Sequence, residues 1–157
     1  MLFFNVYILN QILYNRSKEG IMHKGIFDIT ALEKAIKRLS EVLIRYQKDT
    51  SDDAIRDSVI QRFEFTYSIA LKTLSKYIEQ QAFSIDEVRQ MSFNDLVRTA
   101  NQMNLLKSNL EKWTVYRNMR NITSHTYDEE VALKVVNIIP EFREEIIYFV
   151  DKLKNND

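Results

Sequence analysis

The sequence predicts an all-α fold: an antiparallel up-and-down bundle of four main helices with short additions, in one domain. Three observations carry that expectation. The chain has 157 residues with 2 Gly and 1 Pro, far below average usages of about 7% and 5%, so hairpins and Gly-rich phosphate loops are nearly excluded. Apolar residues make up 45% and aromatics 11%, which supplies one core, whereas a second would be short of material at domain sizes of about 100–150 residues. Finally, side chains able to cap a first helical turn recur ahead of apolar runs of helical period.

Taken in order, the chain opens on "MLFFNVYILNQILY", apolar but short of the ~20 residues of a spanning helix. It lacks the basic flank and small-residue cleavage site of a signal peptide. Residues 1–27 are therefore expected to be an extension, either from a start assigned too early, with Met22 the true start, or as an extra helix or membrane-surface segment. The bundle is expected over 28–154.

"TALE" at Thr30 opens the first helix, with Leu32, Ala35, Ile36, Leu39, Val42, Leu43 and Tyr46 at helical spacing and an end near Lys48. "DTSDD" then caps the main core helix, whose stripe runs from Ile55 through Phe63, Tyr67 and Leu74 to about Gln81. "SIDE" at Ser84 and "SFND" at Ser92 mark a short and a medium helix, the latter carried to Leu106, and "SNLE" at Ser108 starts the next. "TYDE" at Thr126 predicts a break close to His125 and a helix through Ile138, and Pro140 is placed in the first turn of a separate last helix that turns Phe142, Ile146, Phe149 and Leu153 inward. Trp113 and Tyr116, three residues apart, share a side that faces either a partner protomer, the favoured reading, or the core; Phe63 and Tyr67 are assigned to the core.

Against this regular background "RNMRNITSHTYD", Arg117 to Asp128, concentrates hydrogen-bonding and titratable groups. On a continuing helix of about 100° per residue, Arg117, Arg120, Asn121, Ser124 and His125 share an arc of about 140°, opposite Met119 and Ile122. Arg presents a fork of donors that matches phosphate oxygens, and His exchanges a proton near neutral pH. A helix end near His125 would favour its protonated form. Arg120 with His125 is thus a minimal phosphoryl-transfer pair, and Arg117 is a further phosphate contact by virtue of the arc alone. The plainer reading is a solvated or interface-facing polar stripe with His125 as a helix-end cap.

"RNITSHTY" resembles the Arg-x4-6-His signature of HEPN domains, in its Arg-x4-His-x-Tyr form. "VIQRFEFTYSIALKTLSKYIEQQ", Val59 to Gln81, resembles the long core helix of the HEPN subfamily of nucleotidyltransferase substrate-binding proteins, and "YDEE" with Ile139-Pro140 fits the same pattern. The resemblance covers about Ile29 to Leu153. It implies a HEPN-like helical homodimer encoded beside a minimal nucleotidyltransferase in a two-gene toxin and antitoxin module. It further implies a metal-independent endoribonuclease in which Arg120 holds the scissile phosphate, His125 is general acid or base and Asn121 orients the pair. Tyr127 matches the tyrosine to which the partner nucleotidyltransferase, as antitoxin, transfers AMP. The same resemblance fits a non-catalytic substrate-binding subunit.

Composition limits the alternatives. Lys plus Arg and Asp plus Glu each number 22, so no global field draws the chain to RNA or an anionic membrane and any polyanion contact must be local. With no Cys and 2 His, thiolate metal sites are excluded and no metal ligand set is marked. No cofactor and no membrane partner is expected, and the location expected is the cytoplasm. The last seventeen residues are assigned no site.

Overall fold

The computed structural model describes residues 27–155 together with Asn10. The expectations for residues 1–26, including the extension and the start at Met22, lie otherwise outside the described residues. The described chain forms six α-helices and one 3-10 turn: α1 Thr30–Lys48, α2 Asp53–Gln81, α3 Ile85–Arg89, α4 Phe93–Gln102, α5 Leu110–Asn121, the turn Thr123–His125, and α6 Glu129–Asn155. The long helices α1, α2 and α6 pack on one another, and α5 closes the bundle against α6 and α2. Among the described residues no helix is long and apolar enough to cross a membrane.

The starts follow capping chemistry. Asp52 accepts from the Ile55 N–H at 3.0 Å, Ser92 accepts from the Asp95 N–H at 3.2 Å while donating to its carboxylate at 2.7 Å, and Ser84 accepts from the Glu87 N–H at 3.4 Å. Each satisfies a first-turn amide that has no partner within its helix. The α1 start differs: Thr30 lies inside the helix, and its N–H donates to Asp28 at 2.9 Å. For α5 the cap is Asn109, one residue after the expected Ser108, accepting from the Lys112 N–H at 3.1 Å. For α6 it is Asp128, which accepts from the Glu130 and Val131 N–H groups at 2.9 and 3.3 Å. The expected Thr126 cap is occupied elsewhere: its hydroxyl donates to the Thr123 carbonyl at 2.9 Å.

Two boundaries depart further. α4 stops at Gln102, short of Leu106, because Asn104 takes the left-handed conformation at φ 56°. The Leu105 N–H then reaches the Ala100 carbonyl and the Asn104 N–H the Asn101 carbonyl, both at 3.0 Å, which closes the helix end. Conversely, Pro140 lies inside α6 and starts no new helix. It forfeits the bond to the Val136 carbonyl, but Val135, Val136, Ile139, Phe142 and Ile146 stay in phase and buried on both sides of it. Burying side chains of this size stabilises by roughly 1.5–3 kcal/mol each, which outweighs one missing hydrogen bond of about 1 kcal/mol.

The core centres on Phe142. Its ring meets Phe63 at 4.9 Å, Tyr116 at 5.2 Å, Tyr67 at 6.3 Å and Trp113 at 6.4 Å. Trp113 and Tyr116, for which an interface was favoured over the core, are both buried within the chain, so the core reading holds. Their rings pack on Phe142 and on each other, Trp113 to Tyr116 at 5.7 Å, which gives both large aromatics their apolar partners inside the bundle. Phe27, at the edge of the described chain, sets its ring against Tyr77 at 5.3 Å.

Candidate functional site

The polar segment begins in the last turn of α5 and ends at the start of α6. α5 stops at Asn121 because the next residues give its final carbonyls other donors. The Thr123 hydroxyl lies 2.8 Å from the Arg120 carbonyl and also reaches the Glu64 carboxylate on α2. The Ile122 N–H donates to Asn118 at 3.2 Å, and the His125 N–H donates to Ile122 at 3.0 Å, which tightens the chain into the 3-10 turn. The Asp128 N–H then donates to the His125 carbonyl at 3.1 Å. Two of the three hydroxyls in the segment, Thr123 and Thr126, are therefore bound to backbone and shape the turn. Ser124 is exposed.

This turn corrects the single helical arc expected for Arg117, Arg120, Asn121, Ser124 and His125. Only the first three stand on α5; Ser124 and His125 sit on the 3-10 turn, where about three residues per turn rotate them off the α-helical positions. All five remain at the surface, with Tyr127. Among the described residues, the Arg120, Asn121, His125 and Tyr127 side chains carry no hydrogen bond or ion pair. Tyr127 is 87% exposed, and its ring stands edge-on to His125 at 6.2 Å between centroids. A group attached to Tyr127 would thus lie beside the imidazole.

The two arginines differ. Arg117 rests its guanidinium over the Phe93 ring at 4.6 Å, a cation–π contact that ties it to α4. Arg120 has no such contact. Both lie close enough to the buried Tyr67 phenol to pull its pKa down, but burial is the larger effect and pushes it up to about 12. That phenol has no hydrogen-bond partner.

Behind the turn lies a cleft of about 500 Å³ whose lining includes Asp57, Gln61, Glu64, Thr123 and Thr126. Its two carboxylates disfavour a phosphate there, so an anion is better placed on the Arg120 side. Among the described residues no group of three His, Cys, Asp or Glu is placed to hold a metal ion.

Sequence reasoning missed Glu64 and Glu145. Glu64 sits on the core helix beside Phe63 and fixes the turn through Thr123. Glu145 is buried and accepts from the Lys107 N–H at 2.9 Å, the Ser108 N–H at 3.0 Å and the Trp113 indole N–H at 3.3 Å, anchoring the start of α5 to α6. A signal existed: Glu145 falls between Phe142 and Ile146 on the inward stripe of its helix, where a carboxylate needs dedicated donors.

Comparison with known proteins agrees with this architecture. A family model described as "Nucleotidyltransferase substrate binding protein like" matches residues 27–155. The chain belongs to that family. Within it, a Haemophilus influenzae protein named "Probable ribonuclease HepT" is 33% identical over 131 residues, covering 81% of this chain and 87% of the relative. A solved structure of HI0074, also from Haemophilus influenzae and described as revealing the fold of a substrate-binding domain of a nucleotidyltransferase, superposes with a TM-score of 0.76 at 31% identity. It covers 81% of this chain and 99% of its own. The HEPN resemblance and the all-helical class are thereby shown.

Proposed function

We propose that this chain is the HEPN protein of a two-gene module, a metal-independent endoribonuclease toxin whose partner nucleotidyltransferase silences it by transferring AMP. The observation that carries the reading is the pairing at the end of α5: His125 exposed, its imidazole without a hydrogen-bond partner, and beside it the almost fully exposed ring of Tyr127. In the proposed reaction Arg120 binds the scissile phosphate through its guanidinium fork. Neutral His125 takes the proton of a ribose 2′-OH as that oxygen forms a bond to phosphorus. The bond from phosphorus to the 5′-oxygen breaks, and the departing oxygen takes a proton, leaving a 2′,3′-cyclic phosphate and a 5′-hydroxyl. Arg120 stabilises the charge that develops on the non-bridging oxygens, and Asn121 orients the pair. In a homodimer two such ends form one cleft, so that one imidazole acts as base and the other, protonated, as acid. Arg117, held over Phe93, adds a second guanidinium to the same side.

The partner would attach AMP to the Tyr127 oxygen, with pyrophosphate leaving if ATP is the donor. The added phosphate places negative charge beside His125 and opposes RNA phosphate by repulsion. The module would act in the cytoplasm. Expression of the chain alone is expected to arrest growth, and either Arg120→Ala or His125→Ala to relieve the arrest. Co-expression with the cognate nucleotidyltransferase is expected to add one or more AMP masses that vanish in Tyr127→Phe. Equal toxicity of wild type and both variants sinks the cleavage reading; an unmodified wild-type mass sinks the switch.

The second reading is a non-catalytic subunit that presents substrate to a nucleotidyltransferase. It is favoured by the family description matched over residues 27–155, and an inert wild type that still takes AMP at Tyr127 would select it.

A further inference from the structure

On the face of α2 turned toward α1 lies a groove of about 400 Å³, away from the Arg120 and His125 end. Lys34 and Arg38 line it from α1, one turn apart, and Arg62 and Lys72 from α2. Among the described residues no carboxylate lines it. Nor, among them, has any of the four cations an ion-pair partner; other exposed cations such as Arg45 and Lys48 share that, but these four line one groove. Asp28, at the start of α1, supplies a counter-charge that it divides between Lys34 and Lys76. Lys34, Arg38 and Lys72 are exposed and Arg62 half-buried.

Between the α2 cations stands Phe65, 49% exposed, with Ile69 beside it in the groove. The ring stands about half in water in the middle of a core helix, while the neighbouring Phe63 is fully buried. What combines unpaired cations with an exposed ring is a strand of nucleic acid: phosphates for the cations and a base for the ring. The span selects the length of ligand. Arg62 and Lys72 are ten residues apart on one helix, about 15 Å at 1.5 Å per residue. That is too long for one phosphate group and fits consecutive phosphates of a strand. A second copy of the same groove is disfavoured, because a self-complementary contact would set cations against cations.

We propose that the α1–α2 groove binds a segment of single-stranded RNA, with its phosphates on Lys34, Arg38, Arg62 and Lys72 and a base stacked on Phe65. The chain has no net charge, so this local field supplies the RNA affinity that the whole molecule lacks. The binding stands whether or not the Arg120 and His125 end cuts the strand.

The test uses the full chain and a fluorescein-labelled, fully 2′-O-methylated single-stranded RNA of mixed sequence, which has no free 2′-OH to attack. Binding is read by anisotropy across a salt series, with the solution mass measured for each variant. Lys34→Glu with Arg38→Glu is expected to weaken binding about tenfold or more and to flatten the salt dependence by roughly 0.7 in log–log slope for each phosphate no longer neutralised. Phe65→Ala is expected to weaken it by about fivefold or more. Arg45→Glu with Lys48→Glu, the same change of charge on exposed α1 cations outside the groove lining, is expected to keep most of the affinity, which separates the groove from a general loss of positive charge. Unchanged affinity in both groove variants at wild-type mass overturns the proposal. So does competition by polyglutamate equal to that by unlabelled RNA, or a change of oligomeric mass in Phe65→Ala with unchanged RNA affinity.

Discussion

The two halves of α5 do opposite things with similar chemistry. In the first half the indole N–H of Trp113 and the amides just before the helix all converge on the buried Glu145 carboxylate. There every one of these donors is matched and both large rings are covered. In the second half Arg120 and Asn121, continued by His125 and Tyr127, carry as many polar groups with no hydrogen bond or ion pair to hold them. Satisfied polar groups rigidify; unsatisfied ones at the surface are available to a ligand. The first half therefore fixes the position of the second, and changes in each should separate stability from activity.

The largest expected effects come from crossing that division. Arg120→Ala or His125→Ala should lower RNA cleavage by about 10²–10⁴-fold while shifting unfolding free energy by less than about 0.5 kcal/mol, read by gel assay and urea titration on the same preparations. Glu145→Ala should do the reverse. It strands three N–H donors and should cost about 3–5 kcal/mol, with specific activity retained by the folded fraction at low temperature. A Glu145→Ala protein as stable as wild type would break the division outright.

Smaller effects define the boundary more finely. The phenol of Tyr67 is held neutral by burial, with its pKa raised from 10.0 to about 12. Its contribution is fully present below pH 10 and is lost as pH rises through about 12, because the unfolded chain ionises first; the loss is about 2–3 kcal/mol. Tyr67→Phe should remove that alkaline loss. At neutral pH it should stabilise by about 1 kcal/mol, since the hydroxyl has no partner. Thermal melts from pH 7 to 11 check both signs. Arg117→Ala should have the smallest effect, removing a cation–π interaction with Phe93 worth about 0.5–1 kcal/mol and lowering cleavage less than tenfold. If it matches Arg120→Ala in activity, the two guanidiniums are equivalent.

Much of the bundle was legible because its determinants are local. Asp52, Ser84 and Ser92 cap where their side chains and spacing indicate, and the α2 stripe ends at Gln81 as its period requires. What was not legible depends on partners distant in sequence. Pro140 reads as a helix start unless the in-phase core on both sides is known. Trp113 and Tyr116 read as an interface pair unless Phe142 is seen between them and α2. At the site, the residue types Arg120, Asn121, His125 and Tyr127 were readable from their motif, but their relative placement was not. The arc failed because Thr123 bonds to Arg120 and to Glu64, 59 residues earlier, and no helical wheel contains that contact.

If the exposed end of α5 performs RNA chemistry with its own side chains, purified chain free of the nucleotidyltransferase should cut RNA in the presence of EDTA. Mass spectrometry of the new termini decides the matter. The expected products carry 2′,3′-cyclic phosphate and 5′-hydroxyl ends, and they disappear in His125→Ala. Intact RNA with the wild type, or the same termini at the same rate with His125→Ala, would contradict that chemistry.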